Sequence, residues 1–362
     1  MTLAGEGGFV GEPPSRMGGP VPNAVISGTG MNHPDNVVTN DDLVSKYGID
    51  TSHEWIVKRT GIEARRFAPE GVGSAKLSLK ASQDAIADAG LQIGDIDMIL
   101  FATLSPDHCF PGSGVYLQEM LGMPESGKFV PAMDIRNQCS GFLYGLGTAA
   151  SMVQAGAMKN VLVVGSEIHS AALDLSTEGR SIASLFGDGA GAVVVSASED
   201  ESRGIRSWML GADGRFADVL AQRVWDISKR PFLPLDDNGV GQVSKEMMFA
   251  HMDGRLVFKN AVERMIMGLM EVCWKEGITI NDIDVFAFHQ ANLRINQYVA
   301  NQLSIPEEKL LQNIHKFGNT TAATIPTLLA EATREGKIEQ GMKVATVAFG
   351  SGFTWGAAII DW

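Results

Sequence analysis

A layered α/β protein made of two copies of one unit is what this sequence predicts, on three observations. The segment GLQIGDIDMILFAT at 90–103 returns as GITINDIDVFAFHQ at 277–290, each a turn with an Ile-Asp pair running into a short apolar stretch that reads as a buried strand. The copies also end alike, in FGDGAGAVVV from Phe186 and FGSGFTWGAAII from Phe349, glycine turns that open strands of small and β-branched residues. Strands alternate with amphipathic helices in both, KLSLKASQDAIADAG before the first echo and NAVERMIMGLMEVCWKEG before the second. That alternation is the signature of sheets covered by helices.

The expected organisation follows. Residues 1–22, rich in Gly and Pro and without the basic start and apolar core of a secretory signal, read as a flexible tail. One half runs over 23–200 and the other over 201–362, joined near SASEDESRG at 196–204, with an insert at about 214–252 that carries Trp225, Pro231 and Pro234. Duplicated sheets bring equivalent loops to one seam, where groups distant in the chain can meet.

Composition narrows the classes of function. The chain is 45% hydrophobic and 20% charged, and no run of about 18 apolar residues predicts a membrane span. Its net charge, 29 basic minus 42 acidic residues or −13, disfavours nucleic acid and anionic membranes, so an acidic partner needs a local basic patch. Three scattered cysteines, Cys109, Cys139 and Cys273, build neither a disulfide framework nor a zinc cluster. A reducing cytoplasm is the expected compartment, and no metal-ligand spacing is present.

Cys139 lies in MDIRNQCSGFLYGLGTAASMVQAG, where a strand entry gives way to a helix of small residues that opens at the thiol. A helix N-terminus lowers a thiol pKa, which makes Cys139 a candidate nucleophile; a buried core cysteine is the alternative. Cys109 reads as a loop residue and Cys273 as core. His289 follows the apolar run IDVFAF and so stands at the carboxyl end of a strand, a usual address for α/β sites, or else it merely caps that strand. Asn319, in KFGNTTAATIPTLLAEA, opens a second small-residue helix at nearly the place Cys139 takes in the first copy, and Asn is also a good N-cap. GDGAG at 187–191 leads into a strand and lacks the Lys-Ser/Thr of a phosphate loop, and Gly28 and Gly30 have no third glycine and meet Pro34. Neither binds a nucleotide.

Taken in order, QCSGF, HQANLRI, GNTTAAT and FGSGFTWGAA, with TSHEWIVKRTGI and LFGDGAGA, resemble the ketoacyl-acyl-carrier-protein synthase III family from about Ala24 to Trp362. The resemblance implies a five-layer αβαβα thiolase fold, a homodimer, and an enzyme without a cofactor, acyl-CoA being a substrate. It implies that Cys139 accepts an acyl group, with the backbone N–H groups of Cys139 and Ser351 as oxyanion hole. His289 and Asn319 would stabilise the enolate left when malonyl-acyl-carrier protein loses CO2. It also implies that Trp55 and Arg180 sandwich the CoA adenine with Arg59 nearby, that Phe110 reaches the partner subunit's acyl pocket, and that Lys259 and Arg294 contact the carrier protein.

The sequence departs from the family in two places. Gly350-Ser351-Gly352 replaces a glycine triplet and is expected to crowd the site, and Asn301 and Gln302 replace basic residues. Two other functions share these residues: acyl transfer to an alcohol, amine or other acceptor without decarboxylation, with His289 as base, and a non-catalytic partner subunit. A degradative thiolase needs a second cysteine near the C-terminus, and none follows Cys273.

Overall fold

The computed structural model describes residues 22–224 and 241–362, with 226–229, 232–233 and 235–236. Residues 1–21 of the expected tail, and Trp225, Pro231 and Pro234 of the expected insert, lie outside the described residues.

The first sheet contains β1 (Asn23–Asn32), β2 (Met98–Ala102), β3 (Ala132–Ile135), β4 (Asn160–Glu167) and β5 (Gly189–Ser198), in the order β1-β5-β4-β2-β3. The second contains β6 (Gly204–Ala212), β7 (Val285–Phe288), β8 (Lys343–Gly350) and β9 (Thr354–Asp361), in the order β6-β9-β8-β7. From β1 and from β6 the pairings run antiparallel, antiparallel, parallel, so the echoes in the sequence become one topology used twice. Where β3 extends the first sheet, the second has, among the described residues, a parallel bridge between Phe286 and Leu310.

Alternation along the strands sets five layers. In β2, Met98 and Leu100 join the central core while Ile99 and Phe101 face outward; in β7, Val285 and Ala287 face the same central core while Phe286 and Phe288 face out. That centre is filled by α3 (Gly141–Gln154) and α6 (Thr324–Arg334). Helix α2 (Ser74–Asp88) covers the outer face of the first sheet, and α4 (Gly254–Glu276) and α5 (Leu293–Gln302) cover that of the second. Each fully buried Phe, Ile or Leu in these layers contributes about 1.5–3 kcal/mol. Gly28 and Gly30 serve packing: a Cβ on either would lie 2.3 or 2.1 Å from the α2 carbonyls of Ala85 and Ala81. The short helix α1 (His53–Thr60) belongs to a smaller cluster with Val38, Ile62 and Leu185.

The GDGAG run opens β5, as expected of a strand entry. In the region read as an insert, Leu220–Ala221 pairs with His251–Met252, and Phe216 stacks on Phe353 at 5.0 Å. Among the described residues no helix is long and apolar enough to cross a membrane, and no group of three His, Cys, Asp or Glu is placed to hold a metal ion.

Candidate active site

The nucleophile candidate sits on a bent entry to α3. After β3 the chain makes a 3-10 turn, Gln138–Ser140, with Gln138 at φ +46°. The turn is fastened by the Ser140 hydroxyl, which bonds Thr354 Oγ1 at 2.8 Å and Asn137 C=O at 2.9 Å. The end of β8 presses on it so closely that a Cβ on Gly350 would lie 2.8 Å from that of Cys139. Cys139 is 8% exposed, and the N–H groups of Cys139 and Ser351 are directed at its sulfur.

Burial pushes the thiol up to about 12, the Glu167 carboxylate adds to that push, and the two N–H groups act in the opposite direction. This reverses the sequence expectation of a lowered pKa. Desolvation of a thiolate in this buried seam outweighs the helix start, so Cys139 rests as a thiol.

His289 emerges from β7 with its N–H donated to Val347 C=O at 2.9 Å, which places it beside β8. It is buried, and burial brings the imidazole down to about 3, so the ring is neutral. Nδ1 lies 2.6 Å from Thr324 Oγ1, whereas Nε2 has no hydrogen-bond partner among the described residues. The Thr324 hydroxyl also donates to Thr321 C=O at 3.0 Å, a carbonyl whose second lone pair takes the Thr324 N–H. With its proton on that carbonyl the hydroxyl accepts from Nδ1–H; rotated to donate to Nδ1, it sets the tautomer that puts a proton on Nε2.

Asn319 is held at both ends. Its N–H goes to Leu185 C=O at 2.8 Å and its C=O accepts from Gly187 N–H at 3.1 Å, so the LFGDG segment acts as a clamp on this residue's main chain. Its Oδ1 accepts the Thr321 N–H at 2.8 Å, which turns the amide NH2 the other way. The N-cap of this turn is Thr320, so Asn319 stands one position before it and fastens the turn by its side chain. The 321–323 turn packs on the 138–140 turn, and with β8 between Cys139 and His289 the three residues share the seam.

The hydroxyl of Ser351, expected to crowd the site, is donated instead to Leu220 C=O in the 214–252 region. The Arg59 and Arg180 guanidiniums lie 4.2 and 5.3 Å from the Trp55 ring centroid, and Arg180 donates to Asp50 C=O at 2.8 Å. Asn292, in HQAN, donates to Arg59 C=O at 3.1 Å and so ties this aromatic-cationic cluster to the His289 loop. Lys259 and Arg294 are exposed on α4 and α5, which pack together through Phe258 and Tyr298. Phe110 stands 84% exposed, outside the seam within one chain. Cys109 is exposed and Cys273 buried, as expected.

Two buried groups here were not singled out from the sequence. Glu167, at the end of β4, accepts from Thr103 and Ser105 hydroxyls and from the Leu104 and Ser105 N–H groups, and burial still raises it to about 7. His169, two residues on, lies 2.5 Å by Nε2 from Thr321 Oγ1. The available signal was NVLVVGSEIHS, an apolar strand with no solvent face that nevertheless ends in ionisable side chains.

A duplicated five-layer α/β body with its thiol at the seam of the copies is a thiolase-fold condensing enzyme, an acyltransferase. The model of 3-oxoacyl-[acyl-carrier-protein] synthase III matches residues 133–214, and that of its C-terminal part matches 273–362. Over 340 residues the chain is 40% identical to β-ketoacyl-[acyl-carrier-protein] synthase III 1 of Bacillus anthracis, covering 94% of this chain and 99% of that one. The corresponding enzyme of Bacillus pumilus is 41% identical over the same spans. The crystal structure of 3-oxoacyl-[acyl-carrier-protein] synthase III from Aquifex aeolicus VF5 superposes with a TM-score of 0.82 at 39% identity, covering 94% of this chain and all of that one. The chain belongs to the ketoacyl-acyl-carrier-protein synthase III family, and its reaction is that family's two-step condensation, acylation of the enzyme followed by decarboxylative extension.

Proposed function

We propose that Cys139 carries the acyl group and that His289 and Asn319 hold the nucleophile that extends it. The observation that carries this reading is the seam itself: a buried sulfur faced by two backbone N–H groups, next to two side chains whose free ends are fixed by Thr324 and Thr321. In the first half-reaction the sulfur of Cys139 attacks the acyl-CoA thioester carbonyl. The oxyanion is met by the N–H groups of Cys139 and Ser351, and the thiol proton leaves with CoA as CoA-SH.

In the second, the thioester oxygen of malonyl-acyl-carrier protein accepts from His289 Nε2–H and the Asn319 amide. The bond to the carboxylate breaks, CO2 leaves, and its electron pair becomes the enolate. The enolate carbon attacks the acyl-Cys139 carbonyl, and collapse of that second oxyanion expels the Cys139 sulfur as a thiolate, which takes a proton from water to restore the thiol, and releases the 3-ketoacyl thioester. A neutral His289 suits the donor role, because an imidazolium buried here would be costly.

The remaining assignments follow as part of the same proposal. Trp55, Arg59 and Arg180 bind the CoA nucleotide. To admit adenine, the 5.3 Å Arg180–Trp55 contact opens to about 7 Å, two stacking layers. Lys259 and Arg294 form the local basic patch for the carrier protein. A homodimer is supported by β3, an edge strand with Met133 exposed, and by Phe110, an exposed phenyl ring that a second subunit would cover. We take residues 23–200 and 201–362 as the two halves, with the 214–252 region an insert of the second. The unimpeded direction of this chemistry at neutral pH requires no resident cofactor, and the reducing cytoplasm fits a catalytic thiol.

The deciding experiment is intact-protein mass spectrometry with a panel of acyl-CoAs, followed by malonyl-acyl-carrier protein. A Cys139 adduct consumed to a carrier-bound 3-ketoacyl product two carbons longer is the expected result. A stable adduct that is never extended would replace condensation with acyl transfer to another acceptor.

A further inference from the structure

We propose that His169 is a positioning residue for the second half-reaction, acting through Thr321 to fix the direction of the Asn319 amide. The proposal rests on the role given to Asn319 above.

His169 is 8% exposed, and its ring lies against Phe186 with centroids 4.6 Å apart. Its main chain is pinned by the buried Asp188 carboxylate, which accepts the N–H of His169 at 2.7 Å, the N–H of Ser170 at 2.9 Å, the Ser170 hydroxyl and the Ala68 N–H. From this anchored position Nε2 meets Thr321 Oγ1, the one hydrogen bond of that hydroxyl among the described residues. Burial takes the imidazole down to about 3, so it stays neutral across the working range and acts by hydrogen bonding.

Thr321 needs an anchor for two reasons. It is a threonine at φ +51°, a backbone conformation that β-branched residues disfavour. It is also the node between both donors: its N–H goes to Asn319 Oδ1, and its C=O accepts from Thr324, which contacts His289 Nδ1. If Thr321 relaxes, the Asn319 amide loses the bond that distinguishes its two ends. Turned over, it presents a carbonyl oxygen to a developing enolate, which repels instead of stabilising. Cys139 lies on the other turn and Ser351 just past the end of β8, and among the described residues no hydrogen bond joins either to His169 or Thr321.

The test compares His169→Leu, Thr321→Val, the double variant, His169→Gln and Asn319→Ala in two assays: loading of Cys139 by acyl-CoA, and CO2 release from malonyl-acyl-carrier protein. His169→Leu and Thr321→Val each load within about threefold of the parent but lose about 10- to 100-fold in kcat for decarboxylation, with KM little changed. The double variant is no worse than either single one, because both remove one contact. His169→Gln, which keeps a hydrogen-bonding head group, recovers part of the loss. Equal losses in loading and decarboxylation, or losses that multiply in the double variant, overturn the proposal. Should His169→Leu fail to fold, Thr321→Val decides alone. Asn319→Ala separates the two levels: normal decarboxylation by that variant defeats the role of Asn319, whereas impaired Asn319→Ala beside unimpaired His169→Leu defeats only the positioning role.

Discussion

The two copies of the repeat enter their central helices by the same backbone and put different chemistry on it. Asn137 and Thr320 precede the turns with φ, ψ of −108°, 28° and −98°, 24°; Gln138 and Thr321 follow at φ +46° and +51°; a 3-10 turn then leads into α3 or α6. In this register Cys139 corresponds to Ala322, and Ser140 to Ala323. Asn319 therefore stands three positions ahead of the cysteine's equivalent, a shift from the sequence expectation that the two nearly coincide. Duplication supplied a second helix entry, and on the function proposed above the chemistry there sits on the residue ahead of the turn, whose Oδ1 takes the Thr321 N–H. On that same proposed function, one copy points a nucleophile at backbone donors, and the other points side-chain donors at a substrate.

The largest effect comes from making the first turn like the second. Cys139→Ala places the methyl of Ala322 in the thiol's position and is expected to abolish the acyl adduct in mass spectrometry while the melting temperature holds within a few degrees. Any adduct that persists on the variant protein would move the nucleophile elsewhere. Next is Asn319→Ala, which removes one preorganised donor: about 2.7–4 kcal/mol, or roughly 10²–10³ in decarboxylation, with loading preserved. An equal fall in both half-reactions would show that the second turn serves the first instead of having its own task.

How much of this was legible depended on whether the signal was local. Strand periodicity, the echoes at 90–103 and 277–290 and the glycine-led endings are properties of short windows, and they gave the layers and the repeat. Cys139, His289 and Asn319 stood at element boundaries within recognisable motifs. The sign of the thiol's pKa shift was out of reach, because it depends on burial and on Glu167, 28 positions away in the chain. His169 was missed for a related reason. Its partner is 152 residues distant, and nothing in IHS by itself says that the ring will meet Thr321. Ser351 shows the same limit, since a local reading of crowding could not see the acceptor that its hydroxyl finds in Leu220.

The protonation of the first turn gives a sharper comparison by pH. With the thiol pushed up to about 12, the thiolate fraction of free enzyme rises tenfold per pH unit through pH 6–9 and does not saturate. Glu167, raised to about 7, ionises inside that window and adds negative charge near the sulfur, so the slope falls below one around neutrality. Iodoacetamide labelling of Cys139, in a Cys109→Ser background to remove the exposed thiol, measures this directly. A plateau beginning below pH 8 would mean that the N–H groups and helix start outweigh burial after all.

The smallest effect separates the turns by what their left-handed residues do. Replacing Gln138 or Thr321 with glycine relieves about 1–2 kcal/mol of backbone strain but adds about 0.4–1 kcal/mol of unfolded-state entropy, a net gain of about 0.5–1 kcal/mol at either position. Gln138 spends its side chain on a solvent-exposed bond to Arg136 C=O, so Gln138→Gly is expected to keep that gain in urea denaturation. Thr321→Gly also breaks the buried contact with His169, worth about 1 kcal/mol, and is expected to gain nothing or lose stability. Equal stabilisation by both glycines would mean that the Thr321 hydroxyl contributes nothing to holding its turn, and the two helix entries would then differ only in the side chains they show to substrate.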